Sequence, residues 1–316
     1  MTQKIIIDTD PGQDDAVAIL LALASPEIEV LGITSVAGNV PAVLTAKNAR
    51  IVCELAERPD IRVFAGCERP LGRDLVTAEH VHGATGLDGP HMDDPTMPLQ
   101  DRHAVDFIIE TLRSEPPGTV TLVPIGPLTN IATAFQRAPD VVDRVERIVL
   151  MGGAYFEVGN ITPAAEFNIY VDPEAADIVF KSGAPLVVMP LDVTHKVLTT
   201  APRVQAFRDL GTRVGEMVAA WTDFFERFDK EKYGSDGAPL HDPCTIAYIL
   251  NPELFSGREI NVEIETESDL TRGMTVADWW RVTDRKANAL FIGDVDADGF
   301  FALLTERLAR YGQPSG

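Results

Sequence analysis

The sequence predicts an α/β fold, an open and mostly parallel central sheet with helices on both faces. Three observations carry that prediction. Short β-branched runs alternate with segments of helical periodicity along the chain. Runs such as Val120-Thr121-Leu122-Val123 and Ile148-Val149-Leu150-Met151 are apolar without strict alternation, as in strands covered on both faces. Gly- and Pro-rich loops follow predicted strands at Gly12, Gly38, Gly66, Gly126 and Gly152-Gly153.

In chain order, the first strand spans 4–8 around Ile5-Ile6-Ile7, and a helix over 14–24 follows with Asp14 as its cap and Asp15 facing its positive end. The apolar stretch within that helix, 16–24, is about half the length of a bilayer span, so the segment reads as a core helix. Strands at 29–36, 62–65, 119–124, 147–151 and 185–190 then alternate with helices at 41–57, 101–114, 128–137 and 173–182. A long helix over 204–229, a helix over 243–250, a last strand at 289–294 and a helix over 298–310 complete the reading. No internal repeat, low-complexity tract or Gly/Ser linker divides the chain, so one domain over 1–316 is expected, with a mobile lid added near 221–236. In open α/β sheets the ligand crevice lies beyond the carboxyl ends of the strands, so the loops after the strands are expected to share one site.

Composition narrows the partners. The chain of 316 residues carries 48 acidic and 27 basic residues, a formal net charge of -21. That balance argues against nucleic acid and anionic membranes, which attract basic patches, and favours a neutral small molecule or a cation. Cys53, Cys67 and Cys244 form no CxxC pair and read as reduced thiols. With the first strand starting at Lys4 there is no room ahead of it for a secretory signal, so a cytoplasmic protein is expected.

The stretch "DTDPGQDDA", 8–16, places four carboxylates on the first of the strand-end loops, and neither Lys nor Arg occurs between Ile5 and Ala46. A helix cap and a dipole account for one or two of these carboxylates but not for Asp8 and Asp10 as well. A hard cation held by oxygens does, since Ca2+ takes six to eight such ligands. Asp10 at the strand end and Asp15 at the helix start could both reach it, with Asp14 beside them.

With "VAGNV" (36–40), "HGATGLDG" (82–89), "VPIGPLTNIA" (123–132), "MGGAY" (151–155), "GNITPAAEFNIYVDPEAA" (159–176) and "HDPC" (241–244), the chain resembles the inosine-uridine-preferring nucleoside hydrolases over most of its length. The resemblance implies a Rossmann-like sheet enzyme that uses one Ca2+ to hydrolyse the N-glycosidic bond of ribonucleosides. Carried over residue by residue, it implies Asp10, Asp15 and Asp242 as carboxylate ligands, the backbone carbonyl of Ile125 as a further ligand, and Asp14 as general base. Many relatives have Thr where this chain has Ile125, which matters little to a carbonyl ligand. Asn39, Asn160, Glu166, Asn168 and Asp242 match positions that grip the ribose, and His82 and His241 match histidines near the leaving base, with His241 as its proton or hydrogen-bond donor. Asp8 is read as supporting the ligands. Homodimers or homotetramers, and a role in nucleoside salvage, are implied by the resemblance alone; base preference is left between broad inosine/uridine, pyrimidine-only and purine-leaning.

The chemistry suits these residues. A nucleoside C1'–N bond breaks through an oxocarbenium-like sugar, which a carboxylate-rich pocket stabilises. Phosphorolysis would bring an anion into the same pocket with no arginine in the motif segments. Simpler readings exist for single motifs: Asp242-Pro243 is also an ordinary helix start, Asn39 a helix cap, and Asn160 after Gly159 a turn residue. "DVDADG" (294–299) resembles an EF-hand loop, but the required Glu position falls on Thr305, so it reads as a strand end and helix cap. "HVH" (80–82) lacks partners at zinc spacing, which leaves His80 as surface. The aromatics at 221, 224, 225 and 228 have helical spacing and suit core packing, while Phe225, Phe228 and Tyr233 are also candidates for base contacts. The competing functions are a haloacid-dehalogenase-like phosphatase, for which "DTD" would supply the nucleophile, and a non-catalytic Ca2+-stabilised nucleoside- or pentose-binding protein.

Overall fold

The computed structural model describes residues 2–234 and 236–312, the side chains of 228–233 excepted. Strands β1 (Gln3–Thr9), β2 (Ile28–Ser35), β3 (Val63–Ala65), β4 (Leu99–Gln100), β5 (Val120–Pro124), β6 (Val145–Met151) and β7 (Leu186–Met189) are followed by β8 (Phe255–Ile260), β9 (Val262–Ile264), β10 (Thr275–Ala277) and β11 (Ala289–Val295). Between them run α1 (Gln13–Leu23), α2 (Ala42–Leu55), α3 (Glu79–His82), α4 (Ala104–Ser114), α5 (Thr129–Arg137), α6 (Phe167–Val171), α7 (Pro173–Phe180) and α8 (Leu191–Thr194). Helices α9 (Ala201–Arg208), α10 (Arg213–Tyr233), α11 (Pro243–Leu250) and α12 (Ala297–Leu308) complete the set.

The main sheet has the order β4-β3-β2-β1-β5-β6-β7-β11-β8. Its pairings are parallel except β8, which runs antiparallel to β11 at the edge, so the predicted open, mostly parallel sheet is what forms. β9 and β10 make a separate antiparallel ribbon. The strand order reverses at β1, which lies between β2 and β5, and the switch point therefore opens a crevice beyond the carboxyl ends of β1 and β5.

Successive residues of β1 point to opposite faces. Ile5 and Ile7 join the layer containing α1, α2, α10, α11 and α12, while Ile6 joins the layer of α4, α5 and α7. α1 is buried along ten of its eleven residues, which is why its apolar run lacks a polar stripe. Among the described residues no helix is long and apolar enough to cross a membrane.

Three features differ from the sequence reading. The helix expected over 204–229 is two helices, broken where Gly211 takes φ +61, a left-handed turn that ends α9. β8 was not anticipated because its pattern is that of an exposed edge, with four of six residues exposed. The ribbon β9–β10 and the short elements β4, α3, α6 and α8 are too brief to show periodicity. The helix cap read into "DVDADG" does form: the Asp296 side chain accepts from Gly299 N at 3.0 Å.

Candidate active site

After β1 the chain turns through Asp10-Pro11-Gly12 into α1, which brings four carboxylates under the switch point. Asp8 faces the sheet: its Oδ1 accepts from Thr34 Oγ1 at 2.5 Å and Asn130 Nδ2 at 2.8 Å, and burial pushes its carboxyl up to about 7. Asp10 Oδ2 accepts from Asn39 N at 2.7 Å, whereas Oδ1 is buried without a hydrogen-bond partner among the described residues. Two loops close on that carboxylate only because they carry glycine. A Cβ at Gly38 would sit 2.0 Å from Asp10 Oδ2, and one at Gly126 would sit 2.3 Å from Oδ1. Asp15 is fixed by Thr9 Oγ1 at 2.5 Å and Gly12 N at 2.9 Å, with Asn39 Nδ2 at 3.3 Å.

Asp242 arrives from the far side of the sequence. It occupies the N-cap position of α11, yet its side chain makes no capping hydrogen bond. The ordinary helix-start reading therefore accounts for its place and not for its carboxylate. Oxygens of Asp14, Asp15 and Asp242 lie within 4.8 Å of one another, all three residues buried. Asp10 stands beside this group rather than within it. Burial raises the carboxyls of Asp10, Asp15 and Asp242, and the mutual repulsion of Asp10, Asp14, Asp15 and Asp242 raises that of Asp242 further. No Lys or Arg is among the described residues lining the pocket at this spot. An all-oxygen donor set, buried oxygens of Asp8 and Asp10 without a hydrogen-bond partner among the described residues, and no Lys or Arg among the described lining residues fit a hard divalent cation.

The other walls come from β5, β6 and the segment before α7. Ile125 N donates to Asp8 O at 2.8 Å, and the Ile125 carbonyl accepts from Asn168 Nδ2 at 3.1 Å. Asn168 Nδ2 also donates to Met151 O at 3.2 Å. With both amide hydrogens spent on backbone, what Asn168 can offer a ligand is its carbonyl oxygen. Glu166 caps α6, accepting from Asn168 N, Ile169 N and Gly153 N at 2.8, 3.2 and 3.0 Å. Burial still lifts its carboxyl to about 7 against those three donors. Asn160 Oδ1 accepts from Phe167 N at 2.9 Å, which ties its loop to α6.

The opposite side of the pocket is formed by rings. His82, at the end of α3, is buried, its Nδ1 2.6 Å from Gln13 Oε1, and burial lowers its imidazole to about 3. Phe225 of α10 stacks on it with centroids 5.5 Å apart. His241 Nδ1 lies 2.7 Å from Thr194 Oγ1, and burial, reinforced by neighbouring His195 and His82, holds its imidazole well below the usual histidine range. His82 and His241 are therefore neutral near pH 7. Trp221 is fully buried core, as its spacing suggested, while Phe225 turns to the pocket. The side chains of Phe228 and Tyr233 lie outside the described residues.

Asp14, Asn39, His82, Ile125, Asn160, Glu166, Asn168, Phe225, His241 and Asp242 thus line one pocket, with Asp10 and Asp15 just beneath. Sequence reasoning missed Met151, Ile161, Phe167 and His195, which line it too, and Gln13 and Thr194, which hold its histidines. His195 follows the end of β7, so the rule that strand-end loops share the site would have flagged it. His80, read as surface, is exposed and also borders the pocket.

Comparison with known proteins agrees with this geometry. The family described as inosine-uridine preferring nucleoside hydrolase matches residues 5–302. The chain is 50% identical over 312 residues to the pyrimidine-specific ribonucleoside hydrolase RihA of Salmonella paratyphi B, covering 98% of this chain and 100% of that protein. It is 56% identical over 307 residues to an uncharacterized protein of Schizosaccharomyces pombe, covering 97% and 99%. The structure of a purine-preferring ribonucleoside hydrolase from Gardnerella vaginalis superposes with a TM-score of 0.91 at 35% identity, covering 98% and 99%. With the fold, the clustered carboxylates and the full-length match in hand, the chain is a nucleoside hydrolase and belongs to the inosine-uridine preferring nucleoside hydrolase family.

Proposed function

We propose that this enzyme hydrolyses the N-glycosidic bond of ribonucleosides, pyrimidine ribonucleosides foremost, to ribose and free base with the help of one Ca2+. The buried group Asp14, Asp15 and Asp242, without a basic side chain among the described lining residues, carries this reading. Asp10, Asp15 and Asp242 would hold the ion with their carboxylates and Ile125 with its carbonyl. When bound, Ca2+ supplies the positive charge that acidifies and orients water and attracts the ribose hydroxyls.

The protein's own groups do the rest. Asp14 accepts the proton of the attacking water. Glu166 and Asn168 present acceptor oxygens to the ribose hydroxyls, with Asn39, Asn160 and Asp242 beside them. The surrounding carboxylates favour the positive charge that develops on the sugar as the bond to the base lengthens. His82 and Phe225 flank the base, and His241 serves its departure. Because His241 is neutral near pH 7, its part is that of a hydrogen-bond donor rather than a stored proton. A phosphate co-substrate or a phosphate ester would find no Lys or Arg among the described residues lining the pocket, which speaks against phosphorolysis and against the phosphatase alternative.

The 50% identity to a pyrimidine-specific relative outweighs the 35% identity to a purine-preferring one in favouring pyrimidines. A single domain with 221–236 as its lid, a cytoplasmic location, a homodimer or homotetramer and a role in nucleoside salvage belong to the same reading. Base release from uridine, cytidine, inosine and adenosine in phosphate-free buffer tests it. Uridine and cytidine should lead, and 2'-deoxyuridine should be slower by ~10⁴-fold, because a buried site built for a hydroxyl is left unpaired by its loss. Equal rates for uridine and 2'-deoxyuridine would contradict the ribose assignment.

A further inference from the structure

We propose that Thr194 and Gln13 are positioning residues that lock His241 and His82 in opposite tautomers, making His241 a hydrogen-bond donor and His82 an acceptor at their Nε2 atoms. This rests on the reading of His241 as the partner of the leaving base. A neutral imidazole carries one N–H, and the partner of one ring nitrogen decides what the other can do.

At His241 the partner is a hydroxyl, which could donate or accept. Thr194 is fully buried, so its hydroxyl hydrogen needs an acceptor within the protein. Thr222 and Thr245 spend theirs on backbone carbonyls of their own helices, Val218 O and Asp242 O. Among the described residues Thr194 Oγ1 has no such carbonyl, and His241 Nδ1 at 2.7 Å is its hydrogen-bond partner. The hydroxyl therefore donates, Nδ1 accepts, and the ring hydrogen sits on Nε2.

At His82 the logic is reversed. Gln13 Nε2 donates to two backbone carbonyls, His82 O at 3.0 Å and Asp88 O at 3.1 Å. Carbonyls only accept, so the amide orientation is fixed and Oε1 is the atom that meets His82 Nδ1 at 2.6 Å. An amide oxygen cannot donate. Nδ1 must carry the hydrogen, and Nε2 keeps its lone pair. His82 and His241, which line one pocket, are thus given opposite polarity by neighbours outside the pocket lining.

The consequence is a division of labour. The departing base gains negative charge and needs a donor, which Thr194 secures at His241. Two-bond 1H–15N spectra of histidine-labelled protein read the tautomers directly. His241 should show its hydrogen on Nε2 and His82 on Nδ1. Thr194→Val keeps the shape and removes the hydroxyl. It should lower kcat on uridine by roughly 10²-fold with KM little changed, and Thr194→Ser should restore it. A nitrophenyl riboside, whose phenolate leaves without a donor, should lose no more than about 3-fold, which a merely structural role would not allow.

A His241 hydrogen on Nδ1 overturns the inference while leaving the leaving-base role standing. Equal losses on both ribosides, or none on uridine, with the tautomers as assigned, overturn it by removing that role. Wild-type enzyme inactive on every riboside would instead sink the proposed function.

Discussion

The two sides of the pocket are built on different plans. The carboxylate side comes from loops directly after β1, β2 and β5, and its groups are cross-linked at short range: Asp10 to Asn39 N, Asp15 to Thr9 and Gly12, Ile125 N to Asp8 O. The ring side is assembled from α3, α8, α10 and the segment before α11, elements far apart in the chain, and each ring is held by one or two contacts. On the proposed function, the difference teaches that the first side would serve the ribosyl bond and the second the recognition of the base. A rigid, desolvated cluster suits developing charge; a stack and two imidazoles suit selection.

Breaking the carboxylate side should have the larger effect. Asp14→Asn should cost roughly 10³-fold in kcat on uridine while uridine binding changes only a few-fold, as expected for removal of a general base. Loss of binding in proportion to rate would make Asp14 a ligand anchor instead.

The same side should govern stability. Asp8 and Glu166 are raised to about 7, and Asp10, Asp15 and Asp242 are raised as well. Between the ordinary carboxylate range and these values the folded, chelated protein binds more protons than the unfolded chain, so its stability falls as pH rises. The buried histidines have the opposite sign but are silent above the ordinary histidine value of ~6.5. From pH ~6.5 to ~8 the Tm of chelated protein should therefore drop by a few degrees, and Ca2+ should raise it most at the upper end. A chelated Tm that climbs across that interval contradicts the electrostatic description.

The ring side should respond more gently. Phe225→Ala removes the face stacked on His82 and should raise KM about 3- to 10-fold, altering the ranking of bases more than kcat, since a ring pair contributes about 0.5–1.5 kcal/mol. A collapse of kcat with an unchanged ranking would place Phe225 in the chemistry rather than the selection.

What was legible in the sequence follows the same division. Asp10, Asp14, Asp15 and Asn39 sit within or just after apolar strand runs, so their convergence could be read from strand-end geometry. Asp242 and His241 come together with them only through tertiary packing, and the motif resemblance supplied what spacing could not. Gln13 and Thr194 were invisible because a hydrogen bond to a ring nitrogen leaves no periodic or compositional trace. The break at Gly211 was missed because helical spacing continues on both sides of it, and β8 because an exposed edge strand carries no apolar run.

The most direct test of the account is uridine hydrolysis by protein stripped with a Ca2+ chelator, then titrated with Ca2+ and, separately, Mg2+. The account predicts base release that disappears on chelation and returns in step with occupancy of one Ca2+ per chain, Mg2+ restoring far less because its smaller, strictly octahedral shell fits such a set of carboxylates and carbonyl poorly. Full activity in the stripped protein would contradict the central claim that the buried carboxylates exist to hold a cation.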